Sequence, residues 1–249
     1  MGRFWWTCSA LSDVGRVRSD NEDSVYCSAE DGVFVVADGM GGHAAGEVAS
    51  AIASEWIAER LCGACAGIEI EQVETRLSTA FVDAGREILR QASENTARLG
   101  MGTTATVLLL RTDGRYLVGH IGDSRAYIVR RDIISQITRD HSWVQEQVDR
   151  GMITPEQAKN HPQANIITRA LGTEPYPTPD LYPGELRDGD IFLLASDGLT
   201  DMLTEERMLS ILLEEPDPHR CVSRLVREAN LAGGIDNITA LVARVSETP

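Results

Sequence analysis

TTATVLLLRT (residues 103–112), RYLVGHIGD (115–123) and SRAYIVRR (124–131) follow one another with only Asp113-Gly114 and Gly122-Asp123-Ser124 turns between them. Each has the apolar, β-rich composition of a strand, and neither connection is long enough for a crossover, so the three segments must run antiparallel. Working toward the N-terminus, VFVVA (33–37) is a further strand-like run, followed by a Gly-rich turn and by 44–62, where apolar residues recur at helical spacing. A second helix is expected over about 70–96, with Val73, Leu77, Phe81, Ala84, Ile88 and Leu89 on one face. Toward the C-terminus, 140–180 is polar, holds two short helical pieces, and is broken by Pro162, Pro175, Pro177 and Pro179. It reads as a surface subregion over the core. Strand character returns at 190–195, two helices follow at about 204–214 and 217–231, and ITALVARV (238–245) is a last strand. No linker or repeat interrupts 1–249, which implies one domain. Hairpins with segregated helices indicate an α+β sandwich rather than a doubly wound sheet.

The chain has 249 residues, 43% hydrophobic and 24% charged, a composition that supports a globular core. Its net charge of −15 repels phosphate backbones and anionic lipid and argues against a nucleic-acid binder. Lys159 is the only lysine among 23 basic residues, so phosphate recognition here falls to arginine forks. No apolar run reaches the ~20 residues of a membrane span, and MGRFWWTCSALSD lacks a leader's apolar region, which implies a cytoplasmic protein without a membrane anchor. Five scattered cysteines argue against a disulfide framework. Cys62 and Cys65 form one Cys-x-x-Cys, which without two further soft ligands reads as small residues closing a helix.

The informative pattern is that three apolar runs end in a carboxylate: VFVVAD at Asp38, YLVGHIGD at Asp123 and IFLLASD at Asp197. Asp236 precedes the last strand, and Glu22 and Asp23 lie in RSDNED. Strands of one sheet deliver their ends to a common edge, so these residues are expected to converge. Any single Asp-Gly is ordinary turn chemistry. Several together, with oxygen-only donors, suit magnesium or manganese rather than zinc, and a two-metal hydrolase is the economical interpretation. A dinucleotide fingerprint at Gly39-x-Gly41-x-x-Ala44 competes, but Asp38 would face the pyrophosphate as an anion, and a second helix stands where a ribose-binding strand is needed.

SDVGRVRSDNED (12–23), VVADGMGGHAAGE (35–47), MGTTAT (101–106), GHIGDSRAY (119–127), RDHSWVQ (139–145), NIITRALG (165–172), ASDGLTD (195–201) and GGIDNIT (233–239) resemble, in order and spacing, the motifs of the bacterial metal-dependent Ser/Thr protein phosphatases of the PPM, or type 2C, family. The resemblance implies a four-layer α-β-β-α sandwich of two antiparallel sheets flanked by helices, with two tightly held Mn or Mg ions at one edge and a third, weaker one. It implies that Asp38 bridges the two metals and that the Gly39 carbonyl serves the second. Asp197 and Asp236 complete the first, Glu22 and Asp23 lie near the second, and Asp123 with Asp197 holds the third. Arg18 matches the family's phosphate-binding arginine, its bland alternative being an ion pair with Glu22 or Asp20. His43 is the candidate general acid for the leaving alkoxide, with a structural role as the alternative. His120, mid-strand, reads as a core histidine. Residues 140–180 correspond to the family's flap.

These expectations amount to a monomeric phosphatase that hydrolyses phosphoSer and phosphoThr by metal-activated water, acting on phosphorylated proteins, among them Ser/Thr kinases and their substrates. The alternatives are a phosphatase dedicated to one regulatory protein such as an anti-sigma antagonist, and an inactive phosphoprotein-binding module. The latter would have lost metal carboxylates, and Asp38, Asp197 and Asp236 are all present.

Overall fold

The structure is a computed structural model that describes residues 4–41, 45–63, 67–159 and 161–248. One five-stranded sheet is built from β1 (Phe4–Asp13), β7 (Arg125–Arg130), β8 (Ile133–Gln136), β10 (Ile191–Ala195) and β11 (Ile238–Glu247), in the order β1-β11-β10-β7-β8. The second contains β2 (Asp23–Ser28), β3 (Val33–Met40), β5 (Ala105–Leu110), β6 (Arg115–Ile121) and β9 (Asp180–Glu185) in the order β2-β3-β5-β6-β9, with the short β4 (Gly102–Thr103) paired to β3. Every pairing is antiparallel.

Period-two alternation decides the layers. On β3, Val33, Val35 and Ala37 face α1 (Ala45–Leu61) and α2 (Ile70–Glu94), while Phe34 and Val36 face the opposite sheet. On β10, Leu193 and Ala195 pack on α6 (Glu205–Glu214) and α7 (Pro218–Ala232), while Phe192 and Leu194 meet Phe34 and Leu108 between the sheets. Three apolar layers therefore separate four layers of structure. The middle layer is anchored by Phe192, which is fully buried and meets the Tyr116 ring edge-on at 5.0 Å. Truncating Phe192 to Ala would cost about 3–5 kcal/mol.

Helix ends follow their sequence signals. Asp217 caps α7 with Pro218 in its first turn, accepting from the Arg220 N–H at 2.9 Å, and Thr204 caps α6. Ser142 caps α3 (Trp143–Asp149), which with α4 (Pro155–Lys159) forms the polar 140–180 region. That region is tied to the sandwich where the His141 N–H reaches the Gly122 carbonyl at 2.7 Å and where Leu171 bridges Thr103. No helix among the described residues is long and apolar enough to cross a membrane.

One expectation about strand pairing is corrected. β5 and β6 form the expected hairpin, but β7 pairs with β10 and β8, so the Gly122-Asp123-Ser124 turn carries the chain from one sheet to the other. Gly122 has a φ of 111°, and its missing side chain leaves room for Thr104. The strands β1, β2, β8 and β9 were not legible as such. β9 is an edge strand containing Pro183 and Gly184, and Gly184 lacks a side chain where Tyr116 lies across it.

Candidate metal centre

The inter-sheet layer is apolar along most of its length and becomes polar at one end. Asp38 continues the inward face of Phe34 and Val36, and Asp23 stands opposite it in the β2–β3 register. Thr104 and Thr106 continue Leu108 and Leu110, His120 continues Val118, Ser196 continues Phe192 and Leu194, and Thr239 continues Leu241 and Ala243. The β6 end adds Asp123. Asp197 opens the short helix α5 (Asp197–Thr200) just past β10, and Asp236 precedes β11. The expectation that one sheet presents the carboxylates is thus replaced by two: Asp23, Asp38 and Asp123 come from one, Asp197 and Asp236 from the other.

Short-range hydrogen bonds fix each position. The Asp38 N–H donates to Thr104 Oγ1 at 2.9 Å, and its carbonyl accepts from Thr103 Oγ1 at 2.8 Å and from the Thr104 N–H at 2.9 Å. Asp23 Oδ2 accepts from Ser196 Oγ at 2.8 Å and lies 2.6 Å from Thr239 Oγ1. Asn237 Oδ1 accepts from the Glu22 N–H at 2.8 Å, while its Nδ2 donates to the carbonyls of Val14 and Asp20, stitching the 14–22 loop to β11. Glu22 is also reached by the Gly46 N–H in the first turn of α1, where helix-end donors favour an anion. Gly39 donates its N–H to the Glu22 carbonyl at 3.0 Å and packs against Gly46 with no room for a side chain on either.

The arrangement is electrostatically costly for the bare protein. Burial, then Asp23, Asp197, Asp123 and Asp236, hold the Asp38 carboxyl well above the usual range. Burial raises Asp23 to about 7 against the hydrogen bonds from Thr239 and Ser196. Burial and then Asp197 and Asp140 raise Asp123 to about 8, and burial with Asp201 and Asp236 raises Asp197 to about 6. Glu22 is raised by burial, with the Arg18 charge opposing. Among the described residues no three His, Cys, Asp or Glu side chains are already drawn to one point as an ion cage. Three buried carboxylate oxygens, Asp23 Oδ1, Asp123 Oδ1 and Asp197 Oδ1, nevertheless have no hydrogen-bond partner. Crowded carboxylates, unpartnered oxygens and all-oxygen donors fit hard divalent cations. Side chains that repel one another draw together only around a cation.

Arg18 stands at the rim, half-exposed, with Nη2 2.7 Å from Asp236 Oδ2, so its ion pair is with Asp236 rather than with Glu22 or Asp20. His43 and Cys65 lie outside the described residues. His120 is fully buried, with Nδ1 2.9 Å from Thr106 Oγ1 and a pKa lowered to about 3 by burial and by His141, so it is neutral. Sequence reasoning did not single out Ser196, Thr239, Asn237, Thr103, Thr104 or Asp201. The signal for Ser196 and Thr239 was present: they are the next inward positions after apolar alternation ends. A surface concavity of about 630 Å³ along α2, lined by Thr75, Thr79, Arg86 and Leu181 among others, contains none of these residues.

Residues 15–226 match the family model described as protein phosphatase 2C. The serine/threonine protein phosphatase PstP of Mycobacterium tuberculosis is 44% identical over 239 residues, covering 95% of this chain but 44% of PstP, so the chain spans under half the length of that relative. The serine/threonine phosphatase stp of Listeria innocua is 36% identical over 234 residues, covering 93% of this chain and 92% of its own. A solved structure of the PstP catalytic domain in complex with two manganese ions superimposes with a TM-score of 0.87 at 40% identity, covering 98% of this chain and 99% of that one. Family match, fold and the carboxylate cluster agree: the chain belongs to the protein phosphatase 2C family.

Proposed function

We propose that residues 1–249 act as one catalytic domain, a cytoplasmic metal-dependent phosphatase that removes phosphate from serine and threonine of phosphorylated proteins. The observation that carries this reading is the convergence of Asp23, Asp38, Asp123, Asp197 and Asp236, three of them with an unpartnered buried oxygen. Asp38, Asp197 and Asp236 would hold one cation, Asp38 and the Gly39 carbonyl with Glu22 and Asp23 a second, and Asp123 with Asp197 a third, weaker one. Bound there, magnesium or manganese supplies Lewis acidity toward water and toward phosphoryl oxygen.

The chain's own residues bind, orient and transfer protons. Arg18, half-exposed at the rim beside Asp236, offers a guanidinium fork matched to a phosphate monoester dianion. Asn237 and Gly46 keep Glu22 and the Arg18 loop in register with the cluster. His43 is assigned the proton donated to the leaving alkoxide. The 140–180 region, tied to the Asp123 turn through His141, bears on substrate access, and substrates with their kinases are the partners of a monomer.

The test is hydrolysis of a phosphothreonine peptide by the purified chain. Phosphate release with manganese, abolished by chelator and absent in Asp38→Ala with or without metal, supports the reading. Undiminished release in excess chelator overturns it.

A further inference from the structure

Cys8 and Cys27 take no part in the carboxylate centre. Cys8 lies on β1 and Cys27 on β2, the edge strands of opposite sheets at the same side of the sandwich. Cys8 shares the inward face of Phe4, Trp6 and Ala10, and Cys27 that of Val25. The Cys27 thiol donates to Cys8 Sγ, with the sulfurs 3.3 Å apart. Cys27 is exposed and Cys8 half-buried, so a small oxidant reaches both. The other described thiols are placed differently: Cys62 Sγ lies 3.2 Å from the Tyr26 hydroxyl, and Cys221 is on the buried face of α7.

A disulfide needs sulfurs about 2.0 Å apart, so the pair must close by about 1.3 Å. Side-chain rotation supplies this without breaking a ladder, because β1 pairs only with β11 and β2 only with β3. The sequence argument against disulfides concerns a framework spread over five scattered cysteines. It does not cover two thiols already in contact.

We propose that Cys8 and Cys27 are an oxidation site at which hydrogen peroxide forms a disulfide joining the two sheets. The Cys8 thiolate attacks the peroxide O–O bond, giving a sulfenic acid and releasing one water; the Cys27 thiol then attacks that sulfur, expelling the second water as the S–S bond forms. Overall two thiols lose two electrons and two protons to the peroxide. The Cys27 S–H directed at Cys8 favours the Cys8 thiolate, lowering its pKa, so Cys8 is the first sulfur oxidised. The new bond closes the loop that carries Arg18, Glu22 and Asp23, so oxidation staples the base of that loop to both sheets.

The test treats the reduced, metal-free full chain with hydrogen peroxide and maps peptides without reductant. A single cross-link between the Cys8 and Cys27 peptides, lighter by two hydrogens and reversed by dithiothreitol, is expected, with a Tm raised by roughly 4–10 °C. Cys27→Ser should lose the cross-link and the Tm rise, and should leave Cys8 as a sulfenic acid trapped by a dione probe. Melting curves of the reduced variant establish that it folds; if it does not, the wild-type peptide map alone decides. Cross-links involving Cys62, Cys65 or Cys221 instead, no cross-link, or a cross-link without a change in Tm, would overturn the proposal.

Discussion

Ser196 Oγ donates a 2.8 Å hydrogen bond to Asp23 Oδ2, joining residues from opposite sheets at the one end where the inter-sheet layer turns polar. Ser196 Oγ in turn accepts from the Thr239 N–H at 2.9 Å, so a buried hydroxyl without charge holds β10, β11 and β2 together.

Ser196→Ala removes both bonds and leaves the Thr239 N–H buried and unpaired. A stability loss of about 1–3 kcal/mol is expected by urea unfolding of the metal-free protein. Because Asp23 keeps only the Thr239 hydroxyl of its two hydrogen-bond donors, manganese affinity by calorimetry should fall as well. Unchanged values in both measurements would show that Thr239 and β2 position Asp23 without Ser196.

Gly46→Ala tests the first turn of α1. In a helix interior Ala gains about 1 kcal/mol over Gly. Here its Cβ would stand 2.8 Å from the Glu22 carboxyl and 2.9 Å from the Gly39 carbonyl carbon. Steric cost should exceed the propensity gain, with weaker manganese binding and reduced phosphopeptide turnover. A more stable variant with native manganese affinity would mean that Glu22 and Gly39 shift without consequence.

The fold class, both large helices and the carboxylates were legible because each rests on local pattern: apolar alternation, 3.6-residue spacing, Asp after a strand. The sheet switch after Ile121 was not, since a Gly-Asp-Ser turn looks alike whether the next strand pairs beside or crosses over. β1 and β2 were hidden for another reason. As edge strands they bury one face in part, so Thr7, Ser9 and Ser24 dilute the signal. Ser196, Thr239 and Asn237 were overlooked because their work is to orient carboxylates, which polar neutral side chains announce only once strand parity is known.

Arg18 distinguishes phosphate binding from a purely structural ion pair. Arg18→Ala should raise KM for phosphopeptides by about tenfold or more, the worth of one charge-assisted bidentate contact. Arg18→Lys keeps the charge and loses the fork, so it should recover only part of that loss. If kcat fell with KM unchanged in both variants, Arg18 would act in the transition state. If Lys restored everything, a point charge beside Asp236 would be its whole role.

The carboxylate cluster also fixes how stability depends on pH. Asp197, Asp23 and Asp123 have folded pKa values of about 6, 7 and 8, raised first by burial. In the unfolded chain each returns to about 4. Between these limits the folded state holds more protons than the unfolded one, so stability falls as pH rises. Their favourable contribution is fully present below pH 4 and is lost as pH climbs through 6 to 8. In chelator, Tm should therefore decline between pH 5 and 8. Divalent cations bind the ionised form and reverse the trend: at manganese about 100-fold above its Kd, Tm near pH 8 should rise by roughly 5–10 °C. Asp38→Asn keeps the shape but cannot ionise among Asp23, Asp197, Asp123 and Asp236, so its metal-free Tm at pH 8 should be no lower than that of the wild type while its response to manganese is lost. Melting curves across pH 5–9, with and without manganese, check all three statements. A metal-free Tm that rises toward pH 8 would show that the carboxylates do not repel one another in the folded protein, and the case for cations at this end of the sandwich would go with it.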